Sequence, residues 1–263
     1  MLGKLLKYEL KNTFKFLIIF YILSICFAGA ARILGDNANS TFISVLAEIF
    51  KGASISMMCS TIINNSMRLW VMFKGSLYGD ESYLAHTLPV KKSAHYLARI
   101  LNAAITLVVS LIVVLASFLI IFYSDAMVQM FKGMLLPLAE TYDFSILGIG
   151  ALFTVLIYVE FLNIIQCGFS GVILGHKFNN SKTLFSVIFG LIVYSISQGL
   201  VVICVLFAGA FNSDILNIFT SNTLPSFDLF KTIIFIVTLS YTAISFIICF
   251  LNIKFFAKGV NVD

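Results

Sequence analysis

The sequence predicts an all-α membrane protein with six transmembrane helices, an interfacial helix at the N-terminus and a short cytoplasmic helix between spans two and three. Six long apolar stretches fill most of the 263 residues; 60% of all residues are hydrophobic and only 11% are charged. A helix rises 1.5 Å per residue, so about 20 residues cross a hydrocarbon core about 30 Å thick. Because lipid offers no partner to the backbone polar groups, such runs are expected to be helical.

Charged residues mark the ends of the six stretches. In chain order the stretches are residues 14–34, 52–67, 100–124, 144–175, 183–213 and 232–253. Five of them are long enough to span a membrane unaided. The second is shorter, and we expect it to extend through residues 49–50 or 69–73 to reach both faces.

The N-terminal segment, MLGKLLKYELKNTFKF, has the pattern of an amphipathic helix. At 100° per residue, its four lysines fall within an arc of about 80°, and its leucines share the opposite side. The lysines are Lys4, Lys7, Lys11 and Lys15, and the leucines are Leu2, Leu5, Leu6 and Leu10. The pattern predicts a helix lying in the headgroup layer. The alternative is that the lysines only fix the orientation of the first span.

The loop at residues 74–100 contains a second short helix by prediction. Asp80 after a glycine is a good N-cap, and Leu84 and Leu88 lie four residues apart on one face. Pro89 ends the helix because the residue before proline is pushed out of the α region. A short helix with a sharp stop, standing off the membrane, suits docking to a cytoplasmic partner.

Lysine and arginine are distributed unequally between the two sides. Thirteen of the seventeen lie before the first span, in the second and fourth connections, or after the last span. The other four are Arg32, Lys51, Lys132 and Lys231. The positive-inside rule therefore places both termini in the cytoplasm. This placement also accounts for the net charge of +5, so no nucleic-acid partner is expected.

All five cysteines lie within the predicted spans, and none forms a CxxC pair. They are Cys26, Cys59, Cys167, Cys204 and Cys249. We expect them to be buried small apolar residues rather than disulfide partners or metal ligands.

Glu160 lies near the middle of the fourth span, where a charged group costs on the order of 3 kcal/mol or more unless it is paired or protonated. Asn163 follows one turn later, and Gln166 and Cys167 continue the same face. Two interpretations remain open. Glu160 is either a neutral structural group bonded to a neighbouring helix, or part of a polar translocation wall or subunit contact.

Polar stripes recur in the second, fifth and sixth spans. Their members are Ser56, Ser60, Asn64 and Arg68; Ser186, Gly190, Tyr194 and Ser197; and Thr238, Thr242, Ser245, Cys249 and Asn252. Helix packing explains each stripe alone about as well as a substrate path does, and together they favour a path lined from the second and fifth spans. The candidate path residues are Ser56, Ser60, Asn64, Glu160, Asn163, Ser186, Tyr194 and Ser197.

One segment of the fourth span resembles an enzymatic motif. Ser170 lies in a GxSG sequence, the context of an intramembrane serine protease, but it needs a histidine base and His176 lies beyond the end of the same helix. The spacing of Gly171 and Gly175 instead predicts close helix packing. A GxxxxGK[ST] loop is also absent from the sequence, so no ATPase activity is expected in this chain.

The segment ESYLAHTLPV, residues 81–90, resembles the E-x-Y-L-x-x-T-L-P-V segment of ABC-2-type exporter permeases from Gram-positive bacteria. The layout of six spans, short loops and cytoplasmic ends is similar to that family as well. The resemblance implies that residues 1–263 form one ABC-2-type transmembrane domain, and that residues 80–88 are a coupling helix. The residues that would contact a separate ATP-binding subunit are Asp80, Glu81, Tyr83, Leu84, His86 and Leu88.

The resemblance further implies an exporter in the bacterial cell membrane that acts on amphipathic or antimicrobial, toxin-like peptides, with the phenol-soluble-modulin exporters as the nearest type. ATP and Mg²⁺ would bind the partner subunit, with no cofactor or metal in this chain. A second copy or a related permease would complete the passage. The alternatives are a stand-alone secondary transporter and an intramembrane protease. A secondary transporter is disfavoured because the sequence has no evident repeat and Glu160 stands alone.

Overall fold

The computed structural model describes residues 2–37, 40–79, 81–87, 90–123, 129–130, 133, 146–178, 181–212, 214–215 and 227–257. Across these ranges the regular structure is helical, and no strand occurs. The helices are α1 Leu2–Asp36, α2 Thr41–Tyr78, α3 Ser82–Thr87, α4 Lys92–Phe122, α5 Ile146–Gly175, α6 Lys182–Phe211 and α7 Phe227–Ala257. All but α3 are long and apolar enough to cross a membrane, which confirms the all-α, six-span class.

The second span extends in both directions, as its short apolar core predicted. Helix α2 has 38 residues and ends where Gly79 allows a tight turn. The amide of Gly79 bonds the carbonyl of Lys74 at 3.1 Å, and a Cβ at Gly79 would lie 2.9 Å from the carbonyl oxygen of Gly75. The amide of Ser82 then bonds the carbonyl of Gly79 at 2.9 Å, which starts α3 directly after the turn.

The N-terminal amphipathic segment is helical, but it is continuous with the first span. Helix α1 runs for 35 residues without a break, so the expected interfacial helix is not a separate element. Its four lysines are exposed, whereas Glu9 and Thr13 on the opposite side are buried. The first turns of α1 therefore already pack against protein.

The chain divides into two compact units. Unit 1 comprises residues 1–72 and 89–131, and unit 2 comprises residues 73–88 and 132–263. In unit 1, α1 and α4 run parallel: Thr13 bonds Asn102, and Ser24, further along α1, bonds Ser117, further along α4. Helix α2 runs antiparallel to α1, with Ser54 bonding Ser24 and Arg68 bonding Asn12.

The three long helices of unit 2 also comprise a parallel pair and one antiparallel helix. Helices α5 and α7 run parallel, with Phe153 facing Phe230 and Asn163 facing Ser245. Helix α6 runs antiparallel to both. The buried apolar centre of this unit comprises Cys167, Val201, Tyr241, Ile244 and Ile248.

The cysteines correct one expectation. All five lie in helices, but Cys167 alone is buried; Cys26, Cys59 and Cys204 are exposed and Cys249 is half-buried. A cysteine is apolar enough for a lipid-facing surface. The apolar character of the cysteines therefore did not require their side chains to be buried inside the protein.

Candidate functional site

An ion pair is buried near the beginning of both α1 and α4 in unit 1. The guanidinium of Arg99 donates through Nη1 to Oε2 of Glu9, and their side chains are only 8% and 4% exposed. The two residues are 90 positions apart in sequence. Because removing a charge from water is costly, each buried charge is compensated by the opposite charge of its partner.

Hydroxyl and amide groups continue this interface along α1 and α4. The side-chain amide of Asn102 donates to Thr13 Oγ1 at 2.9 Å. Further along, the hydroxyls of Tyr21 and Ser110 lie 2.9 Å apart, and the amide of Asn65 on α2 donates to Ser110 Oγ at 3.0 Å. These bonds join all three long helices of unit 1.

A second set of hydroxyls lies one turn further along α1. Ser24 Oγ donates to Ser117 Oγ at 2.9 Å, and Ser54 Oγ donates to the carbonyl of Ser24 at 3.2 Å. Between this region and Thr13, the side chains of Leu17 and Leu107 are completely buried. The polar groups are therefore separated from one another by packed apolar side chains. Their hydrogen bonds stabilise the association of α1, α2 and α4.

Asn163 is the centre of the polar cluster in unit 2. Its Oδ1 accepts a hydrogen bond from Ser197 Oγ at 2.9 Å, and its Nδ2 lies 3.4 Å from Ser245 Oγ. The thiol of Cys167, one turn further along α5, is 3.6 Å from the same Oδ1. Asn163 is fully buried, so one side chain links α5, α6 and α7 in the middle of the unit.

Glu160 lies one turn before Asn163 and is half-buried. Its carboxyl group and Tyr194 are close enough to act electrostatically on Tyr241, whose hydroxyl donates to Gln198 Oε1 at 2.7 Å. The structure thus brings together four predicted path residues, Glu160, Asn163, Tyr194 and Ser197, with Tyr241 of α7. Within the described ranges, no hydrogen-bond donor to the Glu160 carboxylate is found.

Ser186 belongs to a different contact, the close approach of α5 and α6. A Cβ added at Gly171 would lie 2.3 Å from the carbonyl oxygen of Ser186, and one at Gly175 would lie 2.4 Å from its amide nitrogen. The two glycines therefore let the backbones touch, as their spacing predicted. Ser170 Oγ donates to the carbonyl of Gln166 at 3.0 Å, and the Nδ1 of His176 is 2.8 Å from the carbonyl of Val172.

The predicted stripe of α2 does not lie in the buried interior of unit 1, although its last residue, Arg68, contacts Asn12 and Phe16 of α1. Ser56 is exposed, and Ser60 and Asn64 are half-buried, with the amide of Asn64 donating to the carbonyl of Ser60 at 2.9 Å. The polar residues of α2 that are buried form a neighbouring stripe, Ser54, Thr61, Asn65 and Ser66. The stripe at Ser56 therefore remains available to another surface.

Aromatic side chains hold the end of α2 in unit 2. The rings of Phe73 and Phe169 are stacked with centroids 4.4 Å apart, and Tyr78 packs on His176 at 4.4 Å. Tyr78 also meets the edge of Phe256, near the C-terminal end of α7, at 6.3 Å. The end of α2 is thus fixed to the C-terminal ends of α5 and α7.

Helix α3 follows directly. Ser82 is buried, whereas Glu81, Tyr83 and Thr87 are exposed. Asp80 and Leu88, and the side chains of Leu84 and His86, lie outside the described residues. For four of the six residues expected to contact the partner subunit, the position of the side chain therefore stays a prediction.

The sequence reasoning missed the polar interface of unit 1. A signal for it existed, because the start of the third span carries His95, Arg99, Asn102, Thr106 and Ser110 at spacings of three and four residues. All five are buried on one face of α4. Glu9, the partner of Arg99, lies in the N-terminal segment, where the pattern of lysines and leucines predicted an interfacial helix.

Comparisons with protein-family models, with curated proteins and with solved structures found no match to this chain. Within the described ranges, no three His, Cys, Asp or Glu side chains come together to hold a metal ion. Function must therefore be inferred from the site geometry and from the segment at residues 81–90.

Proposed function

We propose that this chain is the transmembrane subunit of an ATP-driven ABC exporter for amphipathic peptides, energised by a separate ATP-binding subunit. The observation that carries the proposal is α3, a helix of six residues between the second and third membrane-spanning helices. Its exposed residues include Tyr83, which is 69% exposed. A short helix that exposes Tyr83 and Thr87 suits the cleft of a partner protein, and it coincides with the segment that resembles ABC-2-type permeases.

A connection between α3 and the membrane helices supports the same proposal. Only residues 79–81 separate α3 from Tyr78, which is fixed among His176 and Phe256. Lys74 Nζ also donates to Thr183 Oγ1 at 2.7 Å, at the start of α6. A force applied to α3 by a nucleotide-driven partner would therefore reach one end each of α5, α6 and α7.

The passage would be lined by the polar residues that helix packing leaves available. Lipid chains offer no hydrogen-bond partner to Ser56 and Asn64 of α2. Facing lipid would cost even more free energy for the half-buried carboxyl group of Glu160. Within its own unit, we therefore assign each of these side chains either to a wall of the passage or to contact with a second copy of the chain. In this arrangement both termini and α3 face the cytoplasm of a bacterial cell, and ATP with Mg²⁺ binds the partner subunit.

Replacing Tyr83 with alanine should weaken binding of the ATP-binding subunit by tenfold or more, because a buried interface tyrosine commonly contributes about 2 kcal/mol. Affinity of the purified permease for the ATP-binding subunit, measured by biolayer interferometry in detergent, gives the value. Tyr123→Ala is the matched control: Tyr123 is 60% exposed and directly follows α4. Equal affinities for the Tyr83→Ala variant and the unchanged protein would remove α3 from the interface.

Glu160→Gln tests the passage. Glutamine keeps the shape of the side chain and its hydrogen-bonding capacity, so we expect thermal stability within about 0.5 kcal/mol of the unchanged protein. If the carboxylate faces the cargo, peptide export or cargo preference should change several-fold. Glu160→Leu is the companion variant, measured for export and for thermal stability together. Unchanged export by the Gln variant with a destabilised Leu variant would make Glu160 structural.

A further inference from the structure

Arg68 on α2 carries a guanidinium group with few protein partners. Nη2 donates to Oδ1 of Asn12 at 3.1 Å, and Cζ lies 5.2 Å from the ring centroid of Phe16. Nε is buried and has no hydrogen-bond partner. A guanidinium has five N–H donors in a fixed fork. Most of its hydrogen-bonding capacity is therefore unfilled by the described protein.

Acidic side chains do not compensate this charge within the part of the chain that is described. The ion pairs found there are Arg32–Asp36, Lys51–Glu48 and Arg99–Glu9. Glu9, the acidic residue in the first turns of α1, is bound to Arg99 and buried. A half-buried cation is costly unless an anion pairs with it. The geometry calls for an anion from outside these residues.

The position of Arg68 along the helices identifies the depth of that anion. On α2 it directly follows the apolar stretch that ends at Met67. On α1 its contacts, Asn12 and Phe16, lie on either side of Phe14, where the first apolar stretch begins. The contacts on α1 therefore place the guanidinium near the boundary between hydrocarbon and headgroups, where phosphate groups are concentrated.

The surroundings of Arg68 are basic and amphipathic. Lys11 and Lys15 are exposed and directly precede the two residues that Arg68 contacts. The lysine face continues along α1 into three exposed isoleucines, Ile18, Ile19 and Ile22. Charged groups followed by an apolar stripe match the headgroup and acyl chains of a lipid.

We propose that Arg68, together with Lys11 and Lys15, binds the phosphate of an anionic phospholipid in the groove between α1 and α2 of unit 1. A guanidinium binds phosphate through two parallel hydrogen bonds, which would come from Nη1 and from the N–H of Nη2 that does not bond Asn12. The lysines add long-range attraction, and the acyl chains lie along the isoleucine stripe. The bound lipid closes the gap that Asn12 and Phe16 leave around Arg68, and so ties the start of α1 to α2. This inference does not depend on the transport function.

Native mass spectrometry of the purified full-length protein, titrated with phosphatidylglycerol or phosphatidylcholine, tests the proposal. The unchanged protein should retain one phosphatidylglycerol molecule more tightly than any phosphatidylcholine. Arg68→Gln should weaken that binding about tenfold, which corresponds to 1.4 kcal/mol. Arg32→Gln is the matched control, because Arg32 already pairs with Asp36 and should leave lipid affinity unchanged. Millimolar inorganic phosphate should not displace the lipid.

A second variant separates lipid binding from a merely structural role of Arg68. Asn12→Asp places a carboxylate against the guanidinium, so it should compete with the lipid phosphate while preserving or raising thermal stability. Reduced phosphatidylglycerol affinity in a stably folded Asn12→Asp protein supports the site. Equal affinity of the Asn12→Asp variant and the unchanged protein, equal binding of the two lipids, or displacement by inorganic phosphate would each overturn it.

Discussion

Replacing Arg99 with methionine should lower the free energy of unfolding by about 3–5 kcal/mol, because the substitution leaves the buried carboxylate of Glu9 without its cation. The side chain of Glu9 is only 4% exposed, so water cannot take the place of the guanidinium. Reversible unfolding in mixed micelles of dodecyl sulfate and a mild detergent, followed by far-ultraviolet circular dichroism, measures the change.

The double variant Glu9→Leu with Arg99→Met is the control for this prediction. It removes both charges, and apolar side chains of similar volume suit an interface between helices. We expect it to recover most of the stability lost in the single variant. A double variant as unstable as Arg99→Met alone would show that the loss comes from packing and not from an unpaired charge.

Replacing Gly171 with alanine should destabilise the protein by about 3 kcal/mol, at the upper end of the usual cost of overpacking. The added Cβ would lie 2.3 Å from the carbonyl oxygen of Ser186 and 2.6 Å from the amide nitrogen of Gly190. Both are backbone atoms, so no side-chain rotation relieves the clash and α6 must move away from α5. The same micelle unfolding assay measures the loss.

Gly190→Ala is the matched control on the facing helix. Its added Cβ would meet nothing nearer than the carbonyl oxygen of Cys167, at an ordinary contact distance of 3.7 Å. Alanine is also the better helix former by about 1 kcal/mol. The expected result is a neutral or slightly stabilising change. Equal destabilisation by the two substitutions would contradict the close backbone contact of α5 with α6.

The membrane helices could be predicted because their signal is local. Length and hydropathy fix the spans, and the short second stretch had to extend, as α2 does from Thr41 to Tyr78. The close contact at Gly171 and Gly175 followed from their spacing alone. The short helix between the second and third spans is also present, as α3 Ser82–Thr87.

The partners of polar side chains were harder to predict, because they depend on helix rotation and on contacts between distant residues. Helix α2 carries two interleaved polar stripes, and Asn64 and Asn65 differ by about 100° around its axis. The four-residue spacing identified the stripe of Asn64, whereas the structure buries Asn65 against Ser110. The pair of Glu9 and Arg99 spans 90 positions, so no local pattern could join them.

Transport by the reconstituted protein tests the proposed function most directly. The chain is placed in liposomes alone or with its ATP-binding subunit, and the movement of a fluorescent amphipathic peptide is followed with ATP or with an imposed ion gradient. The proposal predicts peptide movement only when the ATP-binding subunit and ATP are both present, with loss of that movement in the Tyr83→Ala variant. Peptide movement by the chain alone, driven by the ion gradient, would contradict the proposal and identify a secondary transporter.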